Sequence, residues 1–71
     1  MNEEDFIFLL KEYLKEDSTV DLSEKFKKEQ LDSIDKVNLI VFLEEFTGKE
    51  ISVIELLECE TLNDIVRLSY E

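Results

Sequence analysis

The sequence predicts a small all-α domain of four helices, and three observations carry that expectation. Apolar residues recur every three or four positions in separate segments, the spacing of a helix face and not of a strand. Residues that favour helix starts (Asn2, Asp32, Ser52 and Thr61) stand just before those segments. Proline is absent, and the only glycine, Gly48, falls just past the longest segment. With 71 residues the chain is expected to form a single domain over 1–71, near the size at which one hydrophobic core is marginal.

The first helix is expected from an Asn2 cap, with Asp5 in its first turn, to about Glu16. Phe6, Leu9, Leu10, Tyr13 and Leu14 form its inner face. Phe8 falls on the opposite face, either as a partner contact or shielded by the following loop, and the loop is the expected answer. From Asp17 to Leu31 the period is lost. Ser18, Asp21 and Ser23 offer local turn chemistry, and Val20, Leu22, Phe26 and Leu31 are scattered apolar anchors. A loop this long in so small a domain is functional or is packed by its own side chains. Lys25, Lys27 and Lys28 form its basic cluster and read as a solvated stretch.

The second helix, from Ser33 to about Thr47, carries two apolar stripes where an ordinary surface helix needs one. Leu39, Phe42, Leu43 and Phe46, with Ile40 at the edge, suit a core. Ile34, Val37 and Val41 gather on the other side, bordered by Asn38, Glu44 and Glu45. Either this helix is covered on both faces, or the second stripe is an apolar strip with an acidic rim that serves as a docking surface. Gly48 then ends the helix. Ser52 with Glu55 reads as a capping box for a short third helix over about Val53 to Leu57. Thr61 with Asp64 repeats a similar signal for a last helix to about Tyr70, whose Leu62, Ile65 and Val66 face inward.

Nineteen acids against eight bases give a formal net charge of −11. That field repels nucleic acid and anionic lipid and favours a basic protein surface as partner. The longest apolar runs, Phe6 to Leu10 and Leu39 to Leu43, are five residues each, too short for a spanning helix or a signal-peptide core, so a cytoplasmic location without membrane insertion is expected. The chain has no histidine and a single cysteine, Cys59, expected as a small buried hydrophobe. No thiol metal cluster or familiar acid–base constellation is therefore expected. The acids also lack the alternating ligands and central glycine of a calcium-binding loop.

The run Leu31-Asp32-Ser33-Ile34-Asp35 places a serine hydroxyl at the opening of the most apolar helix. A helix start presents unpaired N–H groups and partial positive charge, so an anion attached at Ser33 would sit in a favourable field. Asp32 is the expected cap.

The order of a long first helix, an anchored loop, a second helix opening with Asp-Ser-Ile, a short third helix and a closing fourth resembles the acyl carrier protein family. The likeness runs from Phe6 to Leu68. Its specific part covers Asp32, Val37-Asn38-Leu39, Leu43-Glu44-Glu45-Phe46, Glu50-Ile51 and Thr61-Leu62. The resemblance implies a small four-helix bundle with a long first loop and a short third helix. It also implies a covalent 4′-phosphopantetheine on Ser33, with Asp32 as the neighbouring cap, and a role as carrier instead of enzyme. The arm's thiol would hold acyl or aminoacyl thioesters. The implied partners are a phosphopantetheinyl transferase and acyl- or aminoacyl-transferring or condensing enzymes with basic docking surfaces. They would be met by Ile34, Asp35, Val37, Asn38, Val41, Glu44 and Glu45 on a freestanding, monomeric carrier. The residues also allow an unmodified acidic helical interaction module in which Ser33 is only part of a helix start. Four departures from the family's usual pattern stand out: Gln30 where many carriers have glycine, Glu29 where an apolar residue is commoner, Lys36 where a small or apolar residue is commoner, and Val53, Ile54 and Leu57 in the third helix where fatty-acid carriers tend to be acidic.

Overall fold

Each helix begins where a side chain can satisfy the N–H groups that a helix start leaves open. A computed structural model describes residues 2–70, and among them it contains four α-helices and one 3₁₀ turn. Helix α1 spans Glu3–Tyr13, with the Asn2 side chain accepting from the Asp5 N–H at 2.8 Å. Helix α2 spans Ser33–Thr47 and ends on Gly48, whose φ of 71° is the left-handed conformation that glycine adopts without strain. Helix α3 spans Val53–Glu58 behind the Ser52–Glu55 capping box, both of whose hydrogen bonds form. Helix α4 spans Leu62–Tyr70. Its first turn is closed by Thr61 Oγ1 accepting from the Asp64 N–H, and by Asp64 Oδ2 accepting from the N–H groups of Glu60 and Thr61.

Helix α1 stops one turn earlier than its apolar period suggests. The Glu16 N–H donates to the Lys11 carbonyl and the Lys15 N–H to the Glu12 carbonyl. This is the Schellman closure, in which the residue after the cap must be left-handed. Lys15 takes that position at φ 59°. A local backbone signal thus overrides the run of apolar residues through Leu14, which is itself buried.

Helix α2 packs against α1, α3 and α4 and forms the centre of the domain. Its Leu39, Ile40, Phe42 and Leu43 are buried together with Phe6, Leu10 and Leu14 of the α1 segment, Ile51, Leu56, Cys59, and Leu62 and Ile65 of α4. The Phe6 ring stacks on Phe46 at 4.0 Å and on Phe42 at 5.5 Å, and Tyr70 meets Phe6 edge-on at 6.0 Å. Tyr13 stacks on the other side of Phe42 at 4.7 Å and stays partly exposed, so it covers the core instead of filling it. Phe8 is 53% exposed, and the loop does not shield it as expected, because the loop runs instead toward α4.

Backbone hydrogen bonds set that course. The Phe26 N–H donates to the Glu60 carbonyl, Leu62 to Glu24 and Asn63 to Leu22, with one antiparallel bridge between Lys25 and Thr61. Phe26 and Leu31 are buried, and Val20 and Leu22 pack against the core. Local turns fill the rest, with Asp17 accepting from Thr19 and Asp21 from Ser23. Lys25 and Lys27 are solvated, whereas Lys28 is not simply so: its ammonium donates to the Leu57 carbonyl and lies 5.7 Å from the Phe26 ring centroid. That bond satisfies a carbonyl at the end of α3 and ties the loop to it.

Two stability outcomes follow. Leu43 is fully buried and Val41 lies on the outward stripe, 46% exposed. Leu43→Ala is expected to cost about 2–5 kcal/mol in chemical denaturation, and Val41→Ala to stay within about 0.5 kcal/mol of wild type; equal losses would mean that both faces of α2 support the fold. The second outcome concerns pH. Backbone N–H bonds from Thr61 and Glu60 hold the Asp64 carboxyl below the ordinary aspartate range. A depressed folded pKa gives stability that is fully present above the ordinary value and is lost as pH falls through the folded one. The stability gap between wild type and Asp64→Ala is expected to be widest above about pH 4 and to close on acidification. A gap that widened in acid would contradict this.

Candidate functional site

The first turn of α2 is built so that its serine hydroxyl has no structural duty. Asp32, in extended backbone at φ −83° and ψ −177°, caps the helix: its Oδ1 accepts from the Asp35 N–H at 2.8 Å. Asp35 Oδ2 returns the bond by accepting from the Asp32 N–H at 3.1 Å. Two carboxylates therefore close the box, and the hydroxyl of Ser33, the first helical residue, is left exposed and unused in capping.

The approach to this turn is held from α1. Glu16 Oε2 accepts from the Lys27 N–H and from Gln30 Nε2, each at 3.2 Å. The 3₁₀ turn Lys28–Gln30 follows, and then the buried Leu31. Gln30, at the position where many carriers have glycine, thus has a tethering role. On the other side of Ser33, the Lys15 ammonium pairs with Asp35 Oδ2 at 2.8 Å. That bond and the Asp32 N–H hold the Asp35 carboxyl below the ordinary aspartate range, and Asp35 in turn raises Lys15. Lys15 and Glu16 were not legible as site residues, because the first helix is expected to run on to about Glu16, and Gln30 stood out only as a departure from the family pattern.

The remaining candidates separate into two groups. Ile34, Val37, Asn38 and Val41 lie exposed on the outward face of α2, Ile34 being 69% exposed, and Glu45 is exposed on the same face. Two of the expected docking carboxylates are used within the chain. Asp35 belongs to the cap, and Glu44 Oε2 accepts from the Ile51 N–H at 3.0 Å, which fixes the turn from α2 to α3. Across from α2, Val53, Ile54 and Leu57 of α3 are also exposed. Behind the strip, Leu39, Leu43, Ile51 and Leu56 are all buried in the core.

The other chemistry-bearing groups contribute little here. Cys59 is buried, its Sγ donates to the Glu55 carbonyl, and burial pushes its thiol up, away from the reactive thiolate form. Among the described residues no group of three potential metal ligands comes together. Among the described residues no helix is long and apolar enough to cross a membrane. An anion joined through Ser33 does fit. The hydroxyl is accessible, Asp32 takes the N–H of Asp35 and leaves those of Ser33 and Ile34, and the helix dipole points its positive end there.

Comparison with known families agrees with this geometry. The family model for the phosphopantetheine attachment site matches residues 4–69, from the first turn of α1 to the last turn of α4. No curated protein and no solved structure gives a match. Four helices around a central α2, an exposed serine at its start and a family match over nearly the whole chain lead to one conclusion: the chain belongs to the phosphopantetheine attachment site family, carrier domains that bear a covalently attached 4′-phosphopantetheine.

Proposed function

We propose that the protein is a freestanding carrier that holds acyl or aminoacyl intermediates as thioesters on a 4′-phosphopantetheine attached to Ser33, and that it delivers them to separate enzymes. The observation that carries this reading is the Ser33 hydroxyl, exposed on the first residue of α2 and relieved of capping by Asp32 and Asp35. On loading from coenzyme A, a bond from Ser33 Oγ to phosphorus forms and the bond from that phosphorus to the nucleotide half breaks. The serine proton passes to a base on the transferase. The arm supplies a thiol to a chain whose own cysteine is buried. Tethering then replaces a bimolecular encounter by delivery at high local concentration. The carrier itself catalyses nothing in this scheme and works as a monomer in the cytoplasm.

The docking surface in this reading is the strip Ile34, Val37, Asn38 and Val41 with Glu45 at its rim. A net charge of −11 favours a basic partner surface. Asp35 and Glu44 contribute mainly by holding the strip's two ends in place, since their carboxylates are engaged within the chain.

Two outcomes test this. Incubation with a phosphopantetheinyl transferase and coenzyme A is expected to add one phosphopantetheine to the intact mass of the wild type and none to Ser33→Ala, whose helical circular dichroism stays intact. No gain in the wild type would leave an unmodified helical interaction module, and a gain in the variant would remove Ser33 as the attachment point. For docking, Glu45→Lys is expected to slow association with a cognate enzyme, with wild-type association itself slowing as salt rises. Val41→Ala is expected to raise the dissociation rate while stability holds. Rates indifferent to salt and to both substitutions would place docking elsewhere.

A further inference from the structure

Lys15 is held in a conformation that its residue type disfavours, in direct contact with the turn that carries Ser33. Closing α1 by the Schellman pattern demands a left-handed residue, which glycine supplies at no steric cost. The end of α2 uses Gly48 in just this way, yet α1 has Lys15 at φ 59°. Strain of this kind persists where the surroundings fix it, and it gathers at functional positions. Here the backbone bonds of Lys15 and Glu16 that close α1 fix it, and the lysine so placed forms a 2.8 Å ion pair with Asp35, two residues beyond Ser33. Both carboxylates of the box accept a backbone N–H, Asp32 from Asp35 and Asp35 from Asp32, and of the two it is Asp35 that has the lysine partner.

We propose that Lys15 is a positioning residue for the modification of Ser33: it pins the Asp35 carboxylate in the capping box and neutralises it, so that the phosphate of the donor meets one unpaired carboxylate, Asp32, on that turn instead of two. The inference rests on Ser33 being the attachment point. It differs from the general attraction of an acidic carrier for a basic enzyme, and the two effects have opposite signs. Removing Lys15 changes a net charge of −11 by one unit, which leaves long-range steering nearly as it was. Locally it frees a carboxylate beside the reacting oxygen. The effect therefore belongs to the chemical step and not to encounter.

The test measures initial rates of loading by intact mass, with the carrier varied, for wild type, Lys15→Gly, Lys15→Gln and Lys15→Arg. Lys15→Gly and Lys15→Gln are expected to lower kcat about two- to fivefold, the factor an exposed charge pair supplies, with little change in KM. Lys15→Arg is expected to restore it. Lys15→Gly relieves the left-handed backbone, so its denaturation midpoint is expected to match or exceed wild type, which separates the effect from loss of fold. In the Asp35→Asn background, which keeps an oxygen to accept from the Asp32 N–H, replacing Lys15 is expected to change nothing further. The Asp35 carboxyl, followed by NMR, is expected to titrate higher in Lys15→Gln than in wild type. Wild-type kcat in Lys15→Gly and Lys15→Gln would overturn the inference, as would a loss that persists in the Asp35→Asn background. A wild type that is not loaded, or a loaded Ser33→Ala, would instead overturn the attachment reading on which it rests.

Discussion

Burial of one face of α2 is the constraint on which the rest of this structure depends. Leu39, Phe42 and Leu43 are the residues around which the other three helices pack, and Phe6 joins α1 to them through its stacks on Phe42 and Phe46. In a chain of 71 residues there is little other apolar material with which to build a core. Because the buried face fixes the rotation of α2 about its own axis, it also decides what faces outward. Ile34, Val37 and Val41 are left in solvent by the same register that places Leu43 inside. The turn that carries Ser33 inherits its place from this arrangement, held at the end of a helix that cannot rotate or slide without opening the core.

Capping and packing are separable in this site. The Asp32–Asp35 box would form in an isolated helix, since it is local in sequence and needs no tertiary contact. The tethers from Glu16 to Lys27 and Gln30, and from Lys15 to Asp35, exist only once α1 lies beside α2. A serine displayed by local chemistry is therefore aimed by long-range chemistry. Surface ion pairs and exposed hydrogen bonds such as these add little to global stability. Their contribution is to the orientation of the turn that carries Ser33.

Much of the fold was legible in the sequence because its signals are local. The capping residues Asn2, Asp32, Ser52 and Thr61 mark helix starts, and Gly48 marks an end, through hydrogen bonds or backbone angles confined to a few neighbouring residues. The two stripes of α2 were legible for the same reason, as a matter of period. What was not legible depends on partners distant in sequence. Phe8 was expected under the loop, but the loop's backbone pairs with residues 60–63 instead. Helix α1 was read three residues too long, because a lysine in a left-handed turn has no compositional signature. Asp35 and Glu44 look like free surface acids in a sequence, and only the coordinates show one in a cap and the other accepting from Ile51.

The pairing of residues 22–26 with residues 60–63 also bears on which parts of the chain depend on one another. These hydrogen bonds join positions 34 to 41 residues apart, a closure about as long as that of Phe6 with Phe42 and shorter than that of Phe6 with Tyr70. The loop's own backbone cannot supply these partners: the Phe26 N–H and the carbonyls of Leu22 and Glu24 are satisfied by Glu60, Asn63 and Leu62. The loop ahead of the serine's helix and the opening of α4 therefore complete one another, and a chain cut before residue 60 would lose the partners of both.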